Sequence, residues 1–279
     1  MKIGISADST CDIPSDLIKK YDINISYLKI NLGDDEFAEK EINHEKIYDF
    51  VAKTGILPKT SAISSYEYQE YFTELRKKYD AVIHFSLSSE LSSTHNNAVL
   101  AAKEVPGVYV IDSRQLSSGS GILVLSCADK IAEGKSLTEI LSECESETGR
   151  IQSSFIVAKL NYLYKGGRCS AIAMFGANLL KLKIRIQLVN GKMVPTKKYM
   201  GKLSDVLPKY VNDMIKENPP VYNRCFVTSS SPMEGLKENV VEIVKSLGFK
   251  EVIPTQAGAT ICSHCGPETL GILYLKQSN

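Results

Sequence analysis

Residues 81–97, AVIHFSLSSELSSTHNN, contain the pattern that decides the fold: a short apolar run, a hydroxyl-rich loop and the start of a helical segment. The run from Ala81 to Phe85 has the length and the apolar content of a buried strand. The loop from Ser88 to Thr94 leads into a predicted helix, Ala98 to Lys103. A parallel sheet covered by helices is built from such strand, loop and helix units.

The same unit recurs on both sides of this stretch. A predicted strand at residues 2–7 ends in Asp8-Ser9-Thr10, and another at residues 108–111 ends in Asp112-Ser113. Helical spacing predicts helices at residues 16–20, 66–79 and 121–131, and alternation predicts one half-buried strand from Ile25 to Leu32. Ligands of open α/β sheets bind outside the carboxyl ends of the strands. We therefore expect the polar loops to meet at one edge of the sheet.

The pattern changes near residue 150. The later predicted strands, at residues 154–158, 184–189, 192–195, 224–228 and 270–275, are separated by connections of uneven length. Asn190-Gly191 is a strong hairpin signal, so this half should contain antiparallel pairing. The sequence predicts an N-terminal parallel-sheet α/β domain at residues 1–150 and a C-terminal mixed or antiparallel α+β domain at residues 151–279. A chain of 279 residues is long enough for two buried cores.

Composition narrows the function classes. The chain carries a formal net charge of +1, with 43% hydrophobic and 23% charged residues, as in ordinary globular proteins. A nearly neutral chain gives no electrostatic reason to bind nucleic acid, and a DNA-associated regulator is disfavoured. The N-terminus lacks the apolar core of a signal peptide, and no apolar run has the length of a membrane span. We expect a cytoplasmic protein without stable membrane insertion, whose seven cysteines are reduced.

A second hydroxyl-rich segment, Thr60 to Ser65, also precedes a predicted helix. Its hydroxyl and backbone N–H groups could converge on an anion, but Ser64 or Ser65 could equally serve as an ordinary helix N-cap. The loop from Ser88 to Thr94 is the other such segment, and binding and capping both stay open as interpretations. Neutral hydroxyls suit a carboxylate that must later be released, because they avoid the cost of burying a cationic partner.

Three further motifs give weaker signals. Lys165-Gly166-Gly167-Arg168 is typical of a tight turn that projects a guanidinium, or of a solvated turn, and lacks the features of a Walker loop. Cys262-Ser263-His264-Cys265 resembles a metal knuckle, but no second ligand pair lies at suitable spacing, so we expect no metal. We expect His264 to donate a hydrogen bond from a loop, where it could carry charge beside a carboxylate, with a merely structural loop histidine as the alternative. The remaining histidines are interpreted as structural: His44, His84 and His95.

An enzymatic alternative stays open. A serine-dependent acyl hydrolase or transferase would use Ser92 or Ser61 as nucleophile and His264 as base. Against it, the sequence lacks the Gly-x-Ser-x-Gly nucleophile elbow.

Taken in order, these motifs resemble the DegV family of fatty-acid-binding proteins over nearly the whole chain. The similar segments are Ala7-Asp8-Ser9-Thr10 with Asp12-Ile13-Pro14, Thr60-Ser61, Ser88 to Thr94, Val110-Ile111-Asp112-Ser113, Lys165-Gly166-Gly167-Arg168 and His264-Cys265-Gly266-Pro267. Each is weak alone, and their order and spacing carry the resemblance.

The resemblance implies a two-domain fold with a fatty acid, such as palmitate or stearate, in a tunnel between the domains. Thr60 and Ser92 would hold the carboxylate, and the residues nearby would be Ser61, Ser93, Thr94 and His264. It further implies a carrier without cofactor that presents the acid to a separate ATP-dependent fatty acid kinase subunit, whose acyl phosphate product enters phospholipid synthesis. Arg168 would serve docking or transfer.

The sequence departs from the family pattern in four places. Ser93 and Glu268 stand where glycine is usual, Ile184 replaces a proline, and His95-Asn96-Asn97 replaces Tyr-Gln-Ser. Glycine tolerates backbone conformations that other residues avoid, so Ser93 is expected to restrict the head-group loop. These departures bear on acyl preference and partner interaction more than on fold.

Overall fold

The computed structural model describes residues 1–172 and 182–278. The strands are β1 Ile3–Asp8, β2 Ile23–Ser26, β3 Lys29–Leu32, β4 Asp35–Ala38, β5 Lys59–Ser61, β6 Ala81–Ser86, β7 Val108–Asp112, β8 Ile151–Val157, β9 Leu182–Val189, β10 Lys192–Met200, β11 Pro220–Ser229, β12 Glu251–Gln256 and β13 Thr269–Lys276. The α-helices are α1 Ser15–Lys20, α2 His44–Thr54, α3 Ser65–Arg76, α4 Thr94–Glu104, α5 Ser118–Ala132, α6 Leu137–Thr148, α7 Asn161–Gly166, α8 Leu203–Glu217, α9 Leu236–Ser246 and α10 Ala259–Cys265. Short 3₁₀ turns span Ser9–Cys11 and Glu39–Glu41.

The N-terminal half forms a four-stranded parallel sheet in the order β2-β1-β6-β7. Every residue of β6 is buried, because this strand is central and helices cover the sheet. The predicted parallel α/β domain is confirmed.

The single strand predicted from Ile25 to Leu32 is wrong. The chain leaves the parallel sheet after β2 and enters a separate three-stranded antiparallel sheet, β4-β3-β5, at Lys29. Tyr27 and Leu28 make the crossing, Tyr27 exposed and Leu28 buried. Buried and exposed side chains keep alternating from one sheet to the next. A period of two indicates which side chains are buried, but it does not indicate which sheet the strand joins.

The C-terminal half forms a six-stranded mixed sheet in the order β10-β9-β8-β13-β11-β12. β9 and β10 pair antiparallel around Asn190-Gly191, so the predicted hairpin is confirmed. β11 and β12 are parallel, and β13 is antiparallel to both β8 and β11. The mixed-sheet prediction is confirmed, while the boundary near residue 150, just before β8, stays a prediction.

Helix α5 joins the two halves. It contacts β1 and β6 of the parallel sheet as well as β8, β11 and β13 of the mixed sheet. One cluster of buried side chains accordingly contains Ile5 and Ile83 together with Phe226 and Leu273. The two sheets therefore share one cluster of buried side chains through this helix, and the division into two cores stays a prediction.

Small residues allow that close packing. A Cβ atom at Gly121 would lie 2.7 Å from the carbonyl oxygen of Cys11.

Within the two described segments, no helix combines the length and the apolar character that a membrane crossing requires.

Candidate ligand-binding site

Two carboxylates at neighbouring strand ends hold the loop that follows β6. Asp8, the last residue of β1, accepts a hydrogen bond from the backbone N–H of Leu87 at 2.8 Å. Asp112, the last residue of β7, accepts from the backbone N–H and the hydroxyl of Ser89, at 3.2 Å and 2.6 Å. The polar strand ends thus meet as expected, and their acidic side chains position the hydroxyl loop.

A cavity of about 210 Å³, here called the head-group cavity, lies where this loop meets β5, β10 and α10. Apolar side chains make up much of its wall: Leu28, Leu87, Leu91, Leu116, Met193 and Ile261. The polar side chains that line it are Thr60, Ser61, Ser92, Ser93, Arg168, Thr260 and His264. Since Met193 and His264 come from the C-terminal half and the serines from the N-terminal half, the cavity lies between the halves.

Thr60 and His264 form the central polar contact of this cavity. Thr60 Oγ1 lies 2.8 Å from His264 Nε2, although 204 residues separate them. The other ring nitrogen, Nδ1, is buried and has no hydrogen-bond partner in the described part of the chain. Gly166 packs against it, since a Cβ at that position would lie 3.0 Å from Nδ1. The missing side chain at Gly166 therefore allows the turn to approach the imidazole.

The structure brings together most of the residues that the sequence singled out. Thr60, Ser61, Ser92, Ser93 and His264 all line the head-group cavity, together with Arg168. Their role in ligand binding stays a prediction.

Thr94 is the exception among those residues. Its side chain is buried at the first position of α4 and is not part of the cavity wall. Its backbone N–H donates to Ser92 Oγ at 3.2 Å, so Thr94 bears on the cavity only through its backbone.

A second, more open cavity of about 440 Å³ adjoins the first and shares Thr60, Arg168 and His264 with it. Its other cationic side chains are Lys59 and Lys165. We call Lys59, Lys165 and Arg168 the basic vestibule. Among residues 1–172 and 182–278, no carboxylate forms a salt bridge with any of the three, so their charge is available to an incoming anion.

His264 is neutral at physiological pH. Burial, assisted by the nearby positive charge of Arg168, lowers its pKa to about 4. Burial disfavours the charged form of an imidazole, and a neighbouring cation adds repulsion. The charged state that the sequence allowed for His264 would require an anion close by.

The Cys262 to Cys265 motif is engaged in packing. The Cys262 thiol donates to the carbonyl oxygens of Ser230 and Ala257, at 3.2 Å and 3.3 Å, and Cys265 is buried. All seven cysteines are free and buried. In the described segments, no group of three or more His, Cys, Asp and Glu side chains could hold a metal ion.

The other histidines have structural partners. His84 Nδ1 lies 2.9 Å from Ser6 Oγ and its Nε2 lies 3.3 Å from Asp8 Oδ1. His95 Nδ1 lies 2.8 Å from Ser86 Oγ, and the ring of His44 packs edge-on against Tyr48.

Capping and cavity lining fall on different residues of the second hydroxyl segment. Ser64 is the N-cap of α3: its hydroxyl accepts from the backbone N–H of Glu67, while the Glu67 carboxylate accepts from the backbone N–H of Ser64. Thr60 and Ser61 lie on β5 and face the cavity. The capping interpretation therefore holds at Ser64, while anion binding by Thr60 and Ser61 stays a prediction.

Sequence reasoning missed the polar anchor of α10. Asp12 Oδ1 accepts from the backbone N–H of Gly258 at 2.8 Å, and Glu39 Oε1 accepts from the backbone N–H of Thr260 at 2.7 Å. These N–H groups belong to the first turn of the helix that carries His264. In the sequence, Asp12 stands out only as part of the Asp12-Ile13-Pro14 motif, and no local pattern indicates a role for Glu39.

The sequence also matches a known protein family. The family model described as "Uncharacterised protein, DegV family" matches residues 2–277.

The chain belongs to the DegV family.

A DegV domain-containing protein of Caldanaerobacter subterraneus is 31% identical over 98% of both chains. A protein of Thermotoga maritima named "Fatty acid-binding protein" is 30% identical over 97% of this chain and 96% of its own. A solved structure described as fatty acid binding of a DegV family protein from Thermus thermophilus is 28% identical, with a TM-score of 0.90 over 99% of this chain and 100% of its own. The two-domain DegV-like fold predicted from the motifs is confirmed.

The departures from the DegV pattern differ in their backbone cost. Ser93 has φ −73° and ψ −5°, an ordinary helical conformation, so serine is unstrained there. The structure needs no left-handed residue at this position, and the effect of Ser93 on the head-group loop stays a prediction. Glu268, by contrast, has φ +58°, a conformation in which a glycine would relieve strain. Ile184 is buried in β9 and causes no conflict.

Proposed function

We propose that this protein binds a long-chain fatty acid between its two halves and presents the carboxylate to a separate kinase subunit for acyl phosphate formation. The observation that carries the proposal is the head-group cavity, where apolar side chains meet Thr60, Ser92 and His264 from distant parts of the chain. A mixed lining of this kind suits a molecule with one polar end and one apolar chain.

The head group would be held by neutral donors. With its single proton on Nε2, His264 donates to Thr60 Oγ1, which leaves the Thr60 hydroxyl proton for a carboxylate oxygen. Ser92 would supply a second hydroxyl proton. Hydrogen bonds to a charged acceptor are about twice as strong as neutral ones, so a few hydroxyls suffice to hold an ionised acid.

The acyl chain would extend inward. A smaller cavity of about 30 Å³, bounded by Phe155 and Gly271 of the mixed sheet, shares Leu116, Ile261 and Cys265 with the head-group cavity. Ligand pockets of drug-sized molecules usually enclose roughly 300–1,000 Å³. Loading a long chain therefore requires these three shared side chains to move apart and join the cavities. Each CH₂ group enclosed would contribute about 0.8 kcal/mol before other costs.

Presentation would take place at the basic vestibule. Arg168 borders both cavities, so it can face the bound carboxylate and an incoming phosphoryl group. Lys59 and Lys165 add positive charge to the same opening. Phosphoryl transfer depends on positioning and on cations that stabilise the charge of the transferred group. The kinase subunit would supply nucleotide and metal.

Native mass spectrometry and lipid extraction of the purified protein test the binding proposal. We expect a fatty acid to be recovered with the protein, or to be taken up in a loading trial. A protein that remains free of fatty acid after loading would falsify the proposal. Incubation of the loaded protein with a fatty acid kinase subunit and ATP should then yield acyl phosphate, and Arg168→Ala should reduce its rate of formation without removing bound acid.

The acyl hydrolase alternative finds less support in the geometry. His264 Nε2 is hydrogen-bonded to Thr60, whereas Ser61 donates to Asn31 and Ser92 accepts from Thr94. A general base must lie within hydrogen-bond reach of its nucleophile, and an acid usually orients it. His264 Nδ1 has no partner in the described segments. A covalent serine adduct with an acyl-phosphonate probe would reverse this preference.

A further inference from the structure

The tip of the β9-β10 hairpin contacts the loop that carries Ser92. The Ser88 hydroxyl donates to the carbonyl oxygen of Gly191 at 2.9 Å. Arg114 donates through Nη2 to the carbonyl oxygen of Asn190 at 2.6 Å, and Lys192 forms a salt bridge of 3.3 Å with Glu90. Three contacts of different kinds therefore join the hairpin of the mixed sheet to the loops at the edge of the parallel sheet.

Hydrogen bonds within the loop connect Ser88 to Ser92. The Ser88 hydroxyl oxygen accepts from the backbone N–H of Glu90 at 3.3 Å, while its carbonyl oxygen accepts from those of Leu91 at 3.0 Å and Ser92 at 3.3 Å. One residue thus fixes the turn that places Ser92 at the cavity. The Ser88 hydroxyl proton is directed to the Gly191 carbonyl oxygen, so the hairpin sets the orientation of the Ser88 side chain.

Only glycine fits at the tip. Gly191 has φ +83°, and a Cβ there would lie 2.6 Å from Ser88 Oγ and 3.2 Å from Glu90 Cγ. A side chain would push the hairpin away from the loop. Met193, two residues further along β10, lines the head-group cavity, so the same strand contributes to the cavity wall and holds the head-group loop.

We infer that Gly191 is a positioning residue for carboxylate binding: the hairpin tip holds Ser88, and through it Ser92, in the conformation that receives the acid. This inference rests on the proposed fatty acid binding and extends it to a hairpin that does not itself touch the carboxylate. A fatty acid should accordingly stabilise the contact between hairpin and loop, since Met193 of β10 and Ser92 of the loop line the same cavity.

The test compares Gly191→Ala with Gly134→Ala in the full-length protein. Gly134 also has a left-handed φ of +77°, but nothing lies within 4 Å of a Cβ there, so the control carries the backbone strain without the close approach. Affinities for palmitate and for its methyl ester are measured for both. We expect Gly191→Ala to weaken palmitate binding about fivefold or more, as the loss of one hydrogen bond would, with the ester changed less. Gly134→Ala should leave both affinities unchanged.

Hydrogen exchange supplies a readout that does not depend on affinity. Backbone amides of residues 90–92 should exchange faster in Gly191→Ala than in Gly134→Ala, since their hydrogen bonds to Ser88 are loosened. If Gly191→Ala fails to fold, Arg114→Asn removes the guanidinium contact at a residue with φ +50°, a conformation that asparagine tolerates.

The outcomes separate the two proposals. Absence of palmitate binding by the unmodified protein contradicts the proposed function. Normal binding by the unmodified protein contradicts the positioning role alone in two cases. The first is an equal loss of affinity for acid and ester in Gly191→Ala, and the second is no loss together with unchanged exchange in residues 90–92.

Discussion

Ser92 and Ser61 line the same cavity but differ in what their hydroxyl protons do. The Ser61 hydroxyl donates to Asn31 Oδ1 at 3.2 Å. Ser92 Oγ accepts from the backbone N–H of Thr94, and its own proton has no acceptor in the described part of the chain. An uncommitted donor is free to bind a ligand oxygen, so single substitutions at the two serines should have unequal effects.

Ser92→Ala should weaken binding of palmitate about fivefold, the effect of one lost hydrogen bond of roughly 1 kcal/mol, and change binding of its methyl ester less. Ser61→Ala should reduce acid binding less than Ser92→Ala does. Calorimetric titration of both ligands measures these effects, with Ser146→Ala on the exposed side of α6 as control. An unchanged preference for the acid over the ester would remove Ser92 from the head-group role.

His264 permits a test by titration. Because burial and Arg168 lower its pKa to about 4, the imidazole of the unliganded protein should show no titration midpoint between pH 5 and pH 8 in an NMR experiment. A bound carboxylate should raise this pKa, since an opposite charge favours the protonated ring. Arg168→Ala should raise it in the unliganded protein. A midpoint near the ordinary value of 6.5 in the unliganded protein would show that the ring is not buried as described.

At the scale of a single element, helix α3 and the strand before it divide two roles. A cap at the start of the helix bears on stability, and the side chains of the strand bear on binding. Its first turn is closed by reciprocal bonds between Ser64 and Glu67, and these bonds lower the pKa of Glu67 to about 2. The strand β5 that precedes it carries Thr60 and Ser61. Adjacent segments of one hydroxyl-rich stretch thus serve a helix end and a cavity wall.

Ser64→Ala should lower the free energy of unfolding by about 1 kcal/mol, the usual cost of losing an N-cap, and leave fatty acid affinity unchanged. Urea unfolding and binding measurements on the same variant test both parts. Thr60→Val is the matched contrast, for which we expect weaker acid binding and a smaller change in stability. Loss of affinity in Ser64→Ala would mean that the cap also positions β5.

For the whole molecule, the buried carboxylates that anchor α10 make stability depend on pH. Burial raises the pKa of Asp12 to about 8, against the hydrogen bonds from Ser117 and Gly258 that lower it. Burial likewise raises the pKa of Glu39. Asp12 and Glu39 both accept hydrogen bonds from the start of the helix that brings His264 into the cavity. Burying their negative charge at the junction of the two halves has an electrostatic cost.

Asp12→Asn should make stability less dependent on pH. The pKa of Asp12 is about 8 in the folded protein and 3.8 ordinarily, so folding takes up a proton between these values and stability falls as pH rises through this window. The slope for one proton is at most about 1.4 kcal/mol per pH unit. Chemical unfolding between pH 5 and pH 8 should show a shallower decline in Asp12→Asn, with part of the slope retained through Glu39. Parallel curves for the two proteins would contradict the raised pKa.

The amino-acid sequence by itself determined the local elements. The strand before Ser86, the hairpin at Asn190-Gly191 and the loops at the strand ends lie where spacing and turn residues predict them, because each depends on neighbours along the chain. The ordered motifs also identified the family. They indicated Thr60, Ser92 and His264 as well, and these three residues line one cavity.

Only the tertiary structure decided how these elements combine. Thr60 meets His264 across 204 residues, the stretch from Ile25 to Leu32 divides between two sheets, and helix α5 packs against both of the larger sheets. The hydroxyls at Ser64 and Thr60 look alike in sequence and differ in role because one faces a helix end and the other a cavity. Local patterns encode whether a side chain is buried, whereas its partner is set by packing between segments that are distant along the chain.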